Sequence, residues 1–452
     1  MLPGLASPAA RRLAPVAAIP ASGRVIGQAT FPGQERPLAL PAGEALHHLH
    51  VIGPTGVGKS TLLANLACQD IAAGRGVVVI DPKGDLVADI ADRIPTAQHD
   101  RVILLDPTDD DRPVGLNLLH GAHRQPELAA DQVLAIFHRL YAAFWGPRTQ
   151  DILHASLLTL AQHPGMTLCE LPLLLSDDAF RARLVARVDD PVALGPFWAW
   201  YDQLSPAERA HAIGPVMNKL RAFLLRRRVR NVIGQAYPTF TLGDVLTAPK
   251  VLLVSLAKGQ LGTEAAALVG SLVVALLWQA TQQRGANRRP VMVFIDEFQD
   301  VLNLPTDLAD VLAQARGFGV RLTLAHQHLG QLTSQVRTAV LTNARSKIVF
   351  QTSAEDAPAL ARHLGPPLTP IDLQTLAATQ VYAALTINGC TSPPASAHTH
   401  PLPDPLGSAG QVRDLSRQRY GHDRARVEAA IQARHNRSRR PDHEQIGRQL
   451  RP

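Results

Sequence analysis

Residues 53–60 read Gly-Pro-Thr-Gly-Val-Gly-Lys-Ser, the complete pattern of a phosphate-binding loop. Such a loop works only between a buried strand and a helix, so it constrains the fold around it. Gly53, Gly56 and Gly58 lack a Cβ, which lets the backbone curl and aim several N–H groups at a β-phosphate. Lys59 is spaced to reach the β- and γ-phosphates, and Ser60 offers a hydroxyl to Mg²⁺. Thr55 and Thr61 complete the loop positions expected to touch the nucleotide. The short apolar run at 46–52 predicts the strand. Residues 61–73 have helical periodicity and predict a helix whose positive dipole end meets the phosphates. A chance glycine-rich turn would carry neither flank.

The second signal is Asp296-Glu297 behind the apolar run 291–295, which suits a strand buried on both faces of a parallel sheet. Behind a P-loop, Asp296 is the candidate for holding Mg²⁺ through water and Glu297 for polarising the attacking water. Together the two motifs predict binding and hydrolysis of a nucleoside triphosphate, with ATP and Mg²⁺ as the ligands.

The chain has 452 residues, enough for two or three domains. Its three cysteines, Cys68, Cys169 and Cys390, have no paired spacing, which argues for a reducing cytoplasm and against a zinc site or a disulfide framework. Net charge is +7. Residues 411–452 hold eleven Arg against five Asp or Glu, which gives 11 − 5 = +6. A second basic cluster is Lys219, Arg221, Arg226, Arg227, Arg228 and Arg230. Such clusters suit a polyanion partner, and equally suit solvated helix faces. No run reaches the ~18 apolar residues of a membrane span. Residues 265–280 come nearest and read as a buried helix between two strands. No signal peptide is evident.

Strand patterns at 77–80, 102–105, 251–256, 291–295, 320–325, 348–351 and 381–386 alternate with helices, predicting an α/β fold with a parallel, doubly wound sheet. The domain reading is a disordered arm at 1–23, a nucleotide-binding domain in two parts at 24–119 and 241–391, an all-α insert at 120–240, and a Pro-rich linker with a basic tail at 392–452. A small hairpin is expected within 24–46, and a short helix at 423–435. Phe137, Tyr141, Phe144 and Trp145 are spaced for one helix face, read as a core stripe.

Several phrases together resemble the soluble ATPase part of conjugative coupling proteins of type IV secretion systems, in the FtsK/HerA superfamily. They are GPTGVGKSTLL (53–63), VIDPKGDLV (79–87), VILLDPTDDDRPVGLNLL (102–119), MNKLRAFLLRRRVRNVIGQ (217–235), FIDEFQD (294–300), ARGFGVRLTLAHQHLGQL (315–332) and NARSKIVFQTSAEDA (343–357). The resemblance spans roughly 24–390, and the block at 315–332 is its specific part. It implies a RecA-like P-loop ATPase domain with a parallel sheet and an inserted all-α domain, assembled as a homo-hexamer around DNA. It also implies Gln327 as a γ-phosphate sensor and Arg316 as an arginine finger supplied to a neighbour, with Arg345 as a second candidate. From the residues alone, Gln327 equally fits a surface loop and Arg316 a helix-end charge. His326 and His328 flank Gln327 without further metal ligands, and Asp81 and Lys83 are expected to shape the site without an assigned role.

Implied partners are DNA, a relaxase and secretion-channel proteins, with a cytoplasmic location peripheral to the inner face of the cell membrane. One departure stands out: coupling proteins of this kind usually carry N-terminal membrane helices, and no transmembrane segment is read here. A HerA-like helicase or translocase in repair or in an integrative element, and an ATP-dependent protein-substrate receptor, are the alternative readings.

Overall fold

Parallel strands buried on both faces favour continuous apolar runs, and four such runs, at 77–80, 102–105, 251–254 and 291–295, lie in the parallel part of this sheet. The computed structural model describes residues 10–43, 47–285, 288–302 and 308–436. Its strands in chain order are β1 (Arg24–Ala29), β2 (Pro37–Leu40), β3 (Leu49–Ile52), β4 (Gly76–Asp81), β5 (Val102–Leu105), β6 (Val251–Ser255), β7 (Val291–Ile295), β8 (Val320–His326), β9 (Ser346–Val349), β10 (Gln380–Ala384), β11 (Thr386–Ile387), β12 (Cys390–Thr391) and β13 (Ala395–Thr399). Eleven of them form one sheet in the order β2-β1-β13-β10-β9-β3-β8-β7-β4-β6-β5. From β9 to β5 every pairing is parallel. From β2 to β9 every pairing is antiparallel.

The chain divides into two units. The first holds the sheet and comprises Met1–Leu105, Leu242–Ala257 and Val273–Ser416; the second is largely helical and comprises Asp106–Thr241, Lys258–Leu272 and Arg417–Pro452. These boundaries differ from the expected ones. The helical unit begins at Asp106 rather than 120, because the acidic turn after β5 pairs with its arginines. Asp110 takes the Arg228 guanidinium through Nε at 3.1 Å, and Asp109 takes Arg417 at 2.6 Å. The apolar helix Thr263–Gln282 is divided between the units. It is long and apolar enough to cross a membrane, yet 67% of its apolar window is buried inside the protein, as in a core helix.

Two expected unstructured segments are structured where described. Residues 1–9 of the arm lie outside the described residues. Beyond them the chain straps across the antiparallel strands: Ile19 is buried, Leu13 N–H donates to Ser396 Oγ at 2.8 Å, and Tyr382 Oη–H donates to the Arg11 carbonyl at 2.7 Å. The supposed linker contains β13, which sits between β1 and β10. Its prolines lie on both flanks of 395–399, so composition hid a strand whose five N–H groups are intact. The tail forms the helices Ala409–Tyr420 and Arg424–Asn436, which bury Val412 and Val427. The aromatic stripe is also corrected. The helix Pro126–Leu140 buries Phe137 and then stops; Tyr141 is its C-cap, and Phe144, in a separate turn, is 81% exposed. Gly146-Pro147 begins the next helix, which a continuous helix could not pass.

A buried charge cluster ties the hairpin to the P-loop helix Lys59–Ala72. Arg24 Nε lies 3.0 Å from Asp70, whose other donor is Arg75 at 2.9 Å. Arg321 is fully buried nearby, with no hydrogen-bond partner on any guanidinium nitrogen, and burial holds it well below the usual arginine range. Removing the one carboxylate strands the Arg24 guanidinium in the core beside Arg321. Asp70→Ala is expected to destabilise the protein by about 3–5 kcal/mol. Denaturant unfolding measures this, and a loss under ~1 kcal/mol would show the cluster to be hydrated.

Candidate nucleotide-binding and hydrolysis site

The parallel arrangement delivers the C-terminal ends of β3, β8, β7 and β4 side by side, and each end carries part of one site. Crevices outside the carboxyl ends of parallel strands are where ligands bind in open α/β sheets. β3 runs into the P-loop, and the helix Lys59–Ala72 starts on it. Gly58 is the helix N-cap with φ +109°, a left-handed value that any side chain would strain. A Cβ on Gly53 would fall 2.6 Å from Phe350 Cβ, so the loop is pressed against the end of β9. Lys59 Nζ donates to the loop's own carbonyls, Gly53 at 2.6 Å and Pro54 at 2.9 Å. Burial lowers its pKa while Glu297 and Asp296 oppose that shift.

β7 ends in the acidic pair. The Ser60 hydroxyl donates to Asp296 Oδ2 at 3.4 Å, a pair of hard oxygens of the kind Mg²⁺ takes. Burial, with Glu297 and Asp81 adding, pushes the Asp296 carboxyl up to about 6. Glu297 differs. Burial raises its pKa, but hydrogen bonds from Gln327 and Gln299, with Lys83 and Lys59 close by, outweigh burial and hold it below the usual carboxylate range. Gln327 Nε2 donates to Glu297 Oε1 at 2.6 Å, and Gln299 Nε2 to Oε2 at 3.0 Å. Glu297 also sits at φ 44°, ψ 51°, an uncommon conformation for a non-glycine residue. Strain of this kind persists where surrounding contacts over-determine it, and it clusters at functional sites.

Gln327 follows β8 and is fixed from behind. Its N–H donates to Gln331 Oε1 at 3.1 Å. The preceding His326 ring is buried against His50, with their Nε2 atoms 2.7 Å apart, and against the edge of Phe298. Burial pushes His326 down to about 4, so this stack is neutral. These contacts occupy His326 in packing. Thr55, Gly56, Gly58, Lys59, Ser60, Thr61, Lys83 and Glu297 line a cavity of about 210 Å³. A larger cleft of about 760 Å³ lies in the helical unit, with Arg183, Arg187, Arg426 and Arg434 among its lining. It lacks any phosphate cradle, so the smaller cavity is the candidate nucleotide site.

Two residues of the site were not given roles by sequence reasoning. Gln299 holds the second oxygen of Glu297. Lys83 follows Asp81, whose carboxylate accepts the Lys83 and Val87 N–H groups at 2.8 and 3.2 Å, and Lys83 Nζ lies 3.5 Å from Glu297 Oε1. A basic residue just past the end of a strand neighbouring β7 is the signal that pointed there. Arg316 does not join this cavity. It is exposed at the end of the helix Leu308–Gly317, before β8 begins, whereas the P-loop lies beyond the far ends of these parallel strands. A seven-residue strand separates the two edges, roughly 20 Å at ~3.3 Å per residue. Arg345 sits at the same far edge and donates to the Gly389 carbonyl at 2.6 Å. In the basic cluster, Lys219 is buried over the Tyr141 and Trp145 rings and Arg228 is paired with Asp110, while Arg221 and Arg226 are exposed.

Two family models match the chain. Residues 238–389 match the type IV secretion-system coupling protein DNA-binding domain. Residues 24–118 match the helicase HerA central domain. The chain is thus similar to type IV secretion coupling proteins over 238–389 and to HerA over 24–118. No curated protein sequence matches it. Among solved structures, the unbound monoclinic form of the bacterial conjugative coupling protein TrwBdeltaN70 has a TM-score of 0.61 at 19% identity, covering 84% of this chain and 90% of that one. TrwB in complex with the GTP analogue GDPNP has a TM-score of 0.58 at 19% identity, covering 83% and 89%. VirB4 of Thermoanaerobacter pseudethanolicus has a TM-score of 0.54 at 13% identity, covering 86% and 98%. At such identities these likenesses establish the fold, a coupling-protein-like RecA domain with its α-helical insert.

Proposed function

We propose that this chain is an ATP-hydrolysing DNA translocase of the coupling-protein kind, working as a homo-hexamer that pumps DNA during conjugative transfer. The observation that carries the reading is Glu297, held by two glutamines and facing a complete P-loop across one small cavity. Gly53, Thr55, Gly56, Gly58, Lys59 and Thr61 cradle the phosphates. Ser60 and Asp296 would hold Mg²⁺, which would supply charge neutralisation to the phosphates. Glu297 accepts the proton of the attacking water, and Gln327 fixes that carboxylate and senses the γ-phosphate. Arg316 of a neighbouring subunit completes the site. Solved TrwB structures holding ADP with Mg²⁺ and the ATP analogue ADPNP support the choice of ligands. The match of 238–389 to a DNA-binding family model supports DNA as the moved polymer. The reading places the protein in the cytoplasm, meeting a relaxase and secretion-channel proteins at the inner face of the membrane.

The match of 24–118 to the HerA central domain favours a second motor reading, a helicase or translocase acting in repair or in an integrative element. ATPase rate with and without DNA, measured together with mass in solution, tests both. Stimulation by DNA at hexamer mass supports a motor. A rate indifferent to DNA favours a receptor that uses ATP to dock protein substrates.

The basic tail is tested separately. Arg417 and Arg434 are used inside the helical unit, on Asp109 and on the buried Glu170 at 2.9 Å, so truncation at 411 would damage the fold. Residues 437–452 hold five Arg against Asp442 and Glu444, a net +3. Each phosphate they neutralise adds about −0.9 to the slope of log affinity against log salt on duplex DNA. Deleting 437–452 is expected to flatten that slope by up to about 2.7 units and leave basal ATPase intact. An unchanged slope assigns these charges elsewhere.

A further inference from the structure

We propose that Lys83 is the residue that distinguishes triphosphate from diphosphate in this site, passing from Glu297 to the γ-phosphate when ATP enters. The inference rests on the ATPase reading above and deepens it. Lys59, the lysine of the P-loop, is anchored at the loop end of the cavity on the Gly53 and Pro54 carbonyls. Lys83 comes from a different strand and reaches the cavity beside Glu297, with Nζ 3.5 Å from Oε1. That is the oxygen Gln327 also holds, at 2.6 Å. An attacking water must lie between this carboxylate and the γ-phosphorus, so a cation touching the carboxylate is within a side-chain rotation of the γ-phosphate oxygens.

The surrounding residues are built to keep Lys83 there. Asp81 is buried at the end of β4 and spends both carboxylate oxygens on backbone N–H groups, those of Lys83 and Val87. This fixes the turn from β4 into the helix Asp85–Ala91 and so fixes where the Lys83 side chain begins. The side chain itself is 40% exposed, whereas Glu297 is 3% exposed. The base is therefore held rigidly while the lysine keeps room to move. Charge favours the transfer. The site's own residues set Lys59 and Lys83 against Asp296 and Glu297, and a γ-phosphate brings more negative charge to the Glu297 side than one carboxylate offers. A diphosphate ends short of that position, and Lys83 stays on Glu297.

The test compares Lys83→Met and Lys83→Arg with the unaltered protein, measuring Mg²⁺-dependent affinities for ADP and for a non-hydrolysable ATP analogue, along with thermal unfolding. Lys83→Met is expected to weaken the triphosphate analogue by roughly 10- to 100-fold, the effect of one lost hydrogen bond between charged groups. ADP affinity should stay within about twofold, and Lys83→Arg should restore much of the preference. Equal weakening of both nucleotides, or no change in either, overturns the role of Lys83 while leaving the P-loop assignment standing. Failure of the unaltered protein to bind either nucleotide overturns the ATPase reading and this inference together.

Discussion

Glu297→Gln should bind ATP with nearly unchanged affinity and hydrolyse it about 10²–10⁴-fold more slowly, the usual contribution of a positioned general base. Binding survives because Lys59, Ser60 and Asp296 are untouched, and the cavity keeps its shape. Turnover fails because the amide cannot take a proton from water. The local cost is small but defined. Gln327 Nε2 and Gln299 Nε2 both donate to Glu297, one to each oxygen. A glutamine there offers one oxygen, so its amide N–H₂ must face one of these donors or rotate away. That rearrangement touches the base and its sensor, not the P-loop. Lys59→Ala is the contrasting variant, and it should lose nucleotide binding together with turnover. Equilibrium binding and steady-state hydrolysis on both variants separate the roles. If Glu297→Gln turns over at the native rate, the proton goes elsewhere, and Asp296, pushed up to about 6, becomes the group to test.

The sheet around the candidate nucleotide site was legible in the sequence because parallel strands advertise themselves. The runs at 77–80, 251–255 and 291–295 are buried on both faces, so their apolar continuity marks both position and direction. The antiparallel extension was less legible. β13 is Ala-Ser-Ala-His-Thr between prolines, and neither its burial nor its partners can be read from such residues. Its place is set between β10, close before it in the chain, and β1, near the other end of the chain. The same cause moved the start of the helical unit. The acidic turn at 109–111 looks like an exposed loop until Arg228 and Arg417 arrive from more than a hundred residues away. Gln327 was singled out through a family phrase, but its placement beside Glu297 is a matter of coordinates. Gln327 and Glu297 end neighbouring strands β8 and β7, whose register brings the two side chains within hydrogen-bond reach.

Rings assembled from two inactive variants should recover activity if Arg316 serves the neighbouring subunit. Arg316 lies at the edge of the sheet opposite its own P-loop, roughly 20 Å away by strand length, so it cannot reach its own γ-phosphate without remaking the fold. It is exposed and sits in the last turn of the helix Leu308–Gly317, where the helix dipole favours a cation. A guanidinium arriving from a neighbour would stabilise charge on the transferring phosphoryl group, an effect on the order of 10³–10⁵ in rate for NTPases of this class. Arg316→Ala alone should therefore be nearly inactive while binding ATP normally, and Glu297→Gln alone should be inactive for the different reason given above. An Arg316→Ala subunit keeps its base, and a Glu297→Gln subunit keeps its finger. Where the second presents its arginine to the first, one interface is complete. Random mixing at equal ratio makes such an interface at about one position in four, before any demand for coordination around the ring, so partial recovery near that fraction is the expected signal. Mass measurement must show that mixed rings form. If they form and stay inactive at every ratio, Arg316 acts only on its own fold. Arg345 at the same edge, released from Gly389, then becomes the candidate finger.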